Sequence, residues 1–223
     1  MLKHVLIIPD GNRRYANKKD IDIGVVYKFI SDDITTKLIK YLIIEKKISE
    51  MSFFAISRDN VLHRTKKELH PIFDAQIDAY DNWLRNPALT KHIKFNFVGD
   101  FSLLPKDYVN KAKELENKTK NNKNGILNLL VAYDSEWEIF EATKKVSKLK
   151  DFSESDLKKN LLIKTPIDLI IRTGGEVRLS GCPIFPSKYA ELVFIEKFYP
   201  ELTSEALDEI LKNYNLKNRR FGK

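Results

Sequence analysis

Six short apolar runs punctuate the chain: Val5–Ile8, Met51–Ile56, Ile93–Val98, Ile126–Ala132, Leu169–Ile171 and Leu192–Phe194. Their length and near-continuous apolar character are those of strands buried on both faces. Between them lie segments with helical spacing. Ile34, Leu38, Tyr41, Leu42 and Ile43 mark a helix that reaches Lys46, with its body over about residues 28–46. Over about residues 71–85, Ile72, Phe73, Gln76, Ile77, Tyr80, Trp83 and Leu84 fall on one helical face, with Asp74, Asp78 and Asp81 opposite. Pro71 reads as a first-turn residue of this helix, against a competing capping-box pattern at Thr65 and Glu68. Further helices are expected from about Pro105, over Trp137–Leu149, over Ser155–Leu161 and over Ser204–Tyr214. The polar tract 117–125 reads as a helix end and exposed loop, because an apolar run resumes at once.

This alternation of strand and helix predicts an α/β fold: a single domain over residues 1–223, with a central, mostly parallel sheet of about six strands flanked by helices. No internal repeat or composition break divides it. In such a sheet ligands bind beyond the carboxyl ends of the strands. Four polar clusters fall on that edge: Asp10-Gly11-Asn12, Ser57–Arg64, Tyr133–Glu136 and Arg172–Ser180.

Composition narrows the classes. At 223 residues the chain suits one domain with a sizeable core. Cys182 is the single cysteine, which excludes an intramolecular disulfide and fits a reducing compartment. It reads as a small packed residue. No apolar run approaches the roughly 18 residues of a membrane-spanning helix, and no secretory signal is visible, so a cytoplasmic protein is expected. The formal charge of +8 points to anionic partners. Lys144, Lys145, Lys148 and Lys150 read as a solvated face. With no zinc-finger spacing or RNA-binding aromatic signature, nucleic acid is not expected as a partner.

The chemistry concentrates in two stretches. In Pro9-Asp10-Gly11-Asn12-Arg13-Arg14-Tyr15-Ala16, Pro9 ends the first strand and delivers a carboxylate, an amide and two arginines together. Asp10 can hold a divalent metal, Gly11 lets backbone N–H groups approach an anion, and Arg14 can fork onto phosphate oxygens. Asp-Gly alone also suits a polar turn that caps the next helix. The second stretch runs Asp168-Leu-Ile-Ile-Arg172-Thr-Gly174-Gly175-Glu176-Val-Arg178-Leu-Ser180, followed by Tyr189-Ala190-Glu191-Leu192. Together, in this order, they resemble the cis-prenyltransferase family, which includes undecaprenyl and dehydrodolichyl diphosphate synthases. The resemblance covers nearly the whole chain.

The resemblance implies condensation of isopentenyl diphosphate with an allylic prenyl diphosphate in cis geometry, dependent on Mg2+. It implies Asp10 and Glu191 as the metal carboxylates, and Asp10, Asn12 and Asn60 as catalytic residues. Arg172, Arg178 and Ser180 would hold the homoallylic diphosphate, with Gly174 and Gly175 forming a backbone nest and Glu176 orienting the arginines. Gly11, Arg13, Arg14, Ser57, His63 and Arg64 would serve the allylic side. Arg220, in the closing Arg220-Phe221-Gly222, would reach a neighbouring subunit's phosphate site. It also implies a homodimer, peripheral contact with a membrane through the product, and an elongation tunnel between the helices over about 28–46 and 71–85. For Phe73, Ile77 and Tyr80, plain core packing is the alternative.

The allylic side departs from the family pattern. Its arginine falls on Ile23, a nearby histidine on Tyr27, and the arginine three residues after Asn60 on His63, with Arg64 one place later. Val61 replaces an aromatic residue, and the fourth loop reads Ala132-Tyr-Asp-Ser-Glu136. Arg13, Lys28 or Arg64 could restore the lost charge. Two other readings therefore stand beside regular condensation: an irregular, lavandulyl-type head-to-middle synthase, and a non-catalytic partner subunit. The intact Asp10 and Arg172–Glu176 run argue against the last.

Overall fold

The computed structural model describes residues 2–217. The expected α/β domain is present, and its sheet has the order β3-β4-β2-β1-β5-β6 with every neighbouring pair parallel. β1 (His4–Ile8) lies near the centre, between β2 (Glu50–Ser57) and β5 (Leu169–Arg172). β3 (Ile93–Val98) and β4 (Gly125–Tyr133) extend one side, and β6 (Glu191–Phe194) ends the other. Side chains alternate across a pleated strand, so Val5 and Ile7 enter the larger apolar cluster on one face while Leu6 and Ile8 enter the smaller one opposite. That two-sided burial explains the unbroken apolar runs.

After β1 comes α1 (Asn12–Lys19), and then one long helical rod. The rod starts at α2 (Ile23–Phe29), earlier than its apolar spacing suggested, because the Asp22 carboxylate caps Gly24 N–H at 2.9 Å. It passes through a π-helical turn at Ile30–Ile34, α3 (Thr35–Ile39) and a second π turn at Lys40–Glu45. Each wider turn re-phases the side chains along the rod, which blurs a strict 3.6-residue pattern.

α4 (Arg58–His63) follows β2, capped by Ser57. α5 (Lys66–Leu84) then begins at Thr65, which corrects the expected start at Pro71. The capping box prevails: Thr65 N–H donates to Glu68 Oε2 at 3.0 Å, and Glu68 N–H donates back to Thr65 Oγ1 at 3.4 Å. Two end groups satisfied reciprocally outweigh one bond lost at Pro71 inside the helix. α6 (Pro87–Thr90) and α7 (Lys106–Thr119) complete the cover of that face with α10 (Ser204–Leu216). α8 (Ser135–Val146) starts two residues before its expected bound because Asp134 caps Glu136 and Trp137. α9 (Glu154–Asn160) follows.

At the amino ends of β1 and β2 a buried polar cluster interrupts the apolar core. His4 Nε2 lies 2.8 Å from Ser52 Oγ, and Asn128 donates to Glu50 Oε1 at 2.6 Å. The opposite, carboxyl edge carries the site.

Candidate active site

Asp10 stands just beyond β1 and is clamped through its backbone. Its N–H donates to Thr173 Oγ1 at 2.9 Å, and the same hydroxyl donates to Asp10 O at 2.8 Å. The parallel register of β1 with β5 sets Ile8 beside Arg172 and brings the two motifs together. Gly11 follows in a left-handed conformation (φ 96°), where an added Cβ would lie 2.5 Å from the Phe198 ring. Gly11 N–H donates to Asp10 Oδ1 at 2.6 Å.

Around Asp10 the charges alternate. Arg172 Nη2 donates to Asp10 Oδ2 at 2.7 Å, and its Nη1 donates to Ser180 Oγ at 2.9 Å and to the Arg178 carbonyl. Arg14 Nη2 lies 3.5 Å from Asp10 Oδ1, and Glu176 bridges Arg14 at 3.4 Å and Arg178 at 2.5 Å. Partial burial of Asp10 works against its ionisation. The Arg172 and Gly11 hydrogen bonds and the charges of Arg172 and Arg14 outweigh it and hold the carboxyl below its usual range. Arg172 is buried, and its hydrogen bonds are spent on organising Asp10, Ser180 and the 178 backbone. Arg178, paired with Glu176, and Ser180, which accepts from Arg172, both face the cavity, where an anion could meet them.

These groups open onto a cavity of about 560 Å³. Asp10, Gly11, Asn12, Arg13, Arg14, Ser57, Asn60, Arg64, Arg172, Arg178 and Ser180 all line it. Its inner part is apolar, walled by Ile30, Phe53, Ile72, Ala79, Tyr80, Trp83 and Leu129. A polar, cation-rich mouth over an apolar interior suits an amphiphile with an anionic head.

A family model described as "Putative undecaprenyl diphosphate synthase" matches residues 8–222. The chain belongs to this family, the cis-prenyltransferases. It is 36% identical to a geranylgeranyl-diphosphate-specific tritrans,polycis-undecaprenyl-diphosphate synthase of Pyrobaculum aerophilum, over 99% of this chain and 95% of that protein. The crystal structure of a probable undecaprenyl diphosphate synthase from Campylobacter jejuni superposes with a TM-score of 0.83 at 31% identity, covering 100% of this chain and 99% of that one. The lavandulyl diphosphate synthase of Lavandula x intermedia, in complex with dimethylallyl diphosphate, gives a TM-score of 0.86 at 26% identity, over 99% and 98% of the two chains. The activity class of this cis-prenyltransferase is prenyl transfer.

Several expected residues stand elsewhere than this cis-prenyltransferase's motifs suggested. Glu191 does not join Asp10 within the protomer. It opens β6 beside Leu169, at the far end of the strand from Arg172, and its Oε2 accepts from Lys217 Nζ at 2.6 Å. The expected Asp10–Glu191 metal pair is therefore not assembled here. His63 is exposed and outside the cavity, whereas Arg64 lines it. Arg64 follows the last residue of α4 in an extended conformation (φ −81°, ψ 148°), so the chain leaves the helix there and the cation one place along lines the cavity. Lys28 is turned outward to Asp78 at 3.7 Å, which leaves Arg13 and Arg64 as the compensating charges.

Gly174 and Gly175 form no free nest. Their N–H groups donate to Lys197 O and Ile195 O at 2.8 and 2.9 Å. Gly174 is required by proximity instead, since a Cβ there would lie 2.9 Å from Arg14 Nη2 and 3.1 Å from the Asp10 backbone. The fourth loop, Tyr133–Glu136, does not line the cavity; Ser135 N–H donates to Gly181 O, bracing the loop after Ser180. Phe73 and Ile77 pack in the core, but Tyr80 lines the cavity. Cys182 is buried and its thiol is pushed up to about 12 by that burial, so it stays a packed thiol. Arg220 lies outside the described residues.

Tyr27, Thr173, Gln76 and Trp83 were not among the expected site residues. Tyr27 lines the mouth, and burial pushes its phenol up against the pull of Arg64 and Arg13. Gln76, Tyr80 and Trp83 recur at helical spacing on one face, the signal that marked them as wall or core without choosing between the two.

For a metal, the available donors are few. Among the described residues no three His, Cys, Asp or Glu side chains cluster. Asp10 offers a carboxylate, and Asn12 Oδ1 is buried without a hydrogen-bond partner. Mg2+ binds through one or two protein oxygens and completes its shell with phosphate oxygens and water. The donors present fit that requirement.

Proposed function

We propose that this prenyltransferase condenses isopentenyl diphosphate with an allylic prenyl diphosphate in cis geometry and releases diphosphate. The observation that carries the reading is the pairing of two cationic groups across Asp10 at one mouth. Arg178 and Ser180, with Arg172 behind them, stand on the β5 side, and Arg13, Arg14 and Arg64 on the α1 and α4 side. Two anionic heads can thus sit side by side while the allylic hydrocarbon enters the apolar interior.

In this reading the allylic C–O bond breaks and its electron pair leaves with the diphosphate. Arg13, Arg14 and Arg64 stabilise the charge that accumulates there. Arg178 and Ser180 hold isopentenyl diphosphate so that its double bond attacks the allylic carbon, and loss of a proton restores a double bond. Asn12 and Asn60 present amides at the mouth where the reacting ends meet, and the apolar wall keeps water from the cation. A magnesium ion held by Asp10 and the Asn12 amide oxygen would supply further charge neutralisation at the leaving group.

The enzyme would act as a homodimer. β6 is an edge strand with an exposed Leu192, and pairing with a second copy would cover it. Among the described residues no helix is long and apolar enough to cross a membrane. A hydrocarbon product would bring the enzyme to a bilayer surface.

The test is incubation of the purified protein with magnesium, labelled isopentenyl diphosphate and primers of several lengths. Primer-dependent products with new cis double bonds are expected, and no incorporation with any primer overturns the reading. A second reading, irregular head-to-middle condensation, is favoured by the likeness to the lavandulyl diphosphate synthase and by Ile23 and Tyr27 in place of charged groups. Dimethylallyl diphosphate as sole substrate separates the two. A branched ten-carbon diphosphate means irregular condensation, and no product means the regular reaction.

A further inference from the structure

Arg14 sits in a slot whose walls come from three separate segments of the chain. Asp10 Oδ1 lies 3.5 Å from its Nη2, and Glu176 Oε1 lies 3.4 Å from its Nη1. The Gly174 backbone approaches so closely that a Cβ there would lie 2.9 Å from Arg14 Nη2. A further wall is the Phe198 ring, with the guanidinium carbon 5.5 Å from its centroid. Lys18 Nζ lies 5.7 Å from the same centroid. Gly11, Arg14 and Lys18 stand at i, i+3 and i+7, so one stripe of α1 runs along this ring.

The ring is fixed through the residues on either side of it. Lys197 O accepts from Gly174 N–H at 2.8 Å, and Tyr199 N–H donates to Asp10 O at 3.0 Å. Phe198 N–H donates to Glu201 Oε2 at 3.0 Å. These bonds tie the segment after β6 to both motifs of the site, although Phe198 itself does not line the cavity. Asp10 and Glu176 attract the Arg14 guanidinium with full charges and so compete with an arriving anion. An aromatic face attracts a cation through its quadrupole and leaves the cation's charge uncompensated. The ring can therefore hold Arg14 in place without spending the charge that a phosphate would meet.

We propose that Phe198 is a positioning residue, an aromatic shelf that holds the Arg14 guanidinium at the mouth for the diphosphate of the allylic substrate. The proposal rests on the condensing reading above and deepens it. Two experiments test it. Phe198→Leu keeps an apolar side chain and removes the quadrupole. A cation–π contact at an exposed site is worth a factor of about two to five in binding. KM for the allylic substrate should rise by that factor, and KM for isopentenyl diphosphate should stay nearer wild type. Equal changes in the two values, or no change in either, overturn the proposal.

The second experiment needs no turnover and serves equally should the leucine variant not fold. Phenylalanines carrying one, two and three ring fluorines are incorporated at position 198, and non-cleavable geranyl thiolodiphosphate is titrated by calorimetry. Each fluorine draws electron density from the ring face and adds little bulk. Affinity should fall stepwise, by about two- to fivefold over the series. A flat series in folded protein overturns the proposal. Lys18→Gln should leave the gradient in place. Its loss in that background would make Lys18 the cation the ring serves, which also overturns the proposal. A graded series in a protein that condenses no substrate leaves the shelf standing and removes the condensing reading.

Discussion

Arg172 Nη2 stands 2.7 Å from Asp10 Oδ2, joining residues 162 positions apart in sequence. The bond makes a buried arginine the organiser of the site, while the more exposed Arg14 and Arg178, held by Glu176, face the cavity mouth. Replacing Arg172 by Met should strip Asp10 and Ser180 of their shared donor. A charge-assisted hydrogen bond is worth about 1.5–3 kcal/mol, so kcat/KM should fall roughly 10- to 150-fold. Steady-state kinetics on the folded variant checks this, and Arg172→Lys should recover only part because it cannot fork.

Asp10→Ala should abolish turnover while leaving the protein folded, with a lowered melting temperature because buried Arg172 loses its carboxylate partner. Asp10 is partly exposed beyond the strand, so its truncation opens no core cavity. A variant retaining more than about a tenth of wild-type rate, a barrier change under roughly 1.4 kcal/mol, would show that the carboxylate is dispensable. Because its pKa is held below 3.8, the ionised form prevails throughout the neutral range. The pH–rate profile should then show no acid limb from Asp10 above about pH 4.

Arg64→Ala and His63→Ala should differ. Arg64 lines the cavity and His63 does not. Loss of Arg64, in a solvent-open mouth, should cost about 1 kcal/mol or roughly fivefold in KM for the allylic substrate. The neighbouring His63 change should be neutral, and paired KM measurements decide it.

Arg178→Ala should raise KM for isopentenyl diphosphate more than KM for the primer, again by about fivefold given its exposure. Equal effects on the two substrates would contradict separate diphosphate sites.

His4 offers a pH test of stability away from the site. Burial lowers its pKa below 6.5, against the opposing charges of Glu50 and Asp168. The unfolded chain therefore binds a proton more readily than the folded one between that lowered value and 6.5. Stability should be full above about pH 6.5 and decline as pH falls below it. Chemical denaturation at pH 5.5 and 7.5 should show the loss in wild type and a smaller one in His4→Gln.

The strands and the motif edge were legible in the sequence because both rest on local order. A run such as Val5–Ile8 can be buried only between two layers, and Pro9 ends it wherever the chain goes next. The same holds for the cap at Thr65, whose pattern was visible but weighed too lightly against Pro71. What tertiary structure decided were relations between distant segments. Parallel register sent Glu191 to the far end of β6 from Arg172, although both lie in one motif-bearing stretch. The extended turn out of α4 at Arg64 chose that residue over His63 for the cavity. The meeting of α5 with the rod, tied where Trp83 Nε1 donates to Thr36 Oγ1, set two walls of the cavity against each other. Spacing along one chain fixes which face a residue occupies, but a wall's depth depends on where a second element crosses it. That crossing is set by packing, to which no single segment's pattern refers.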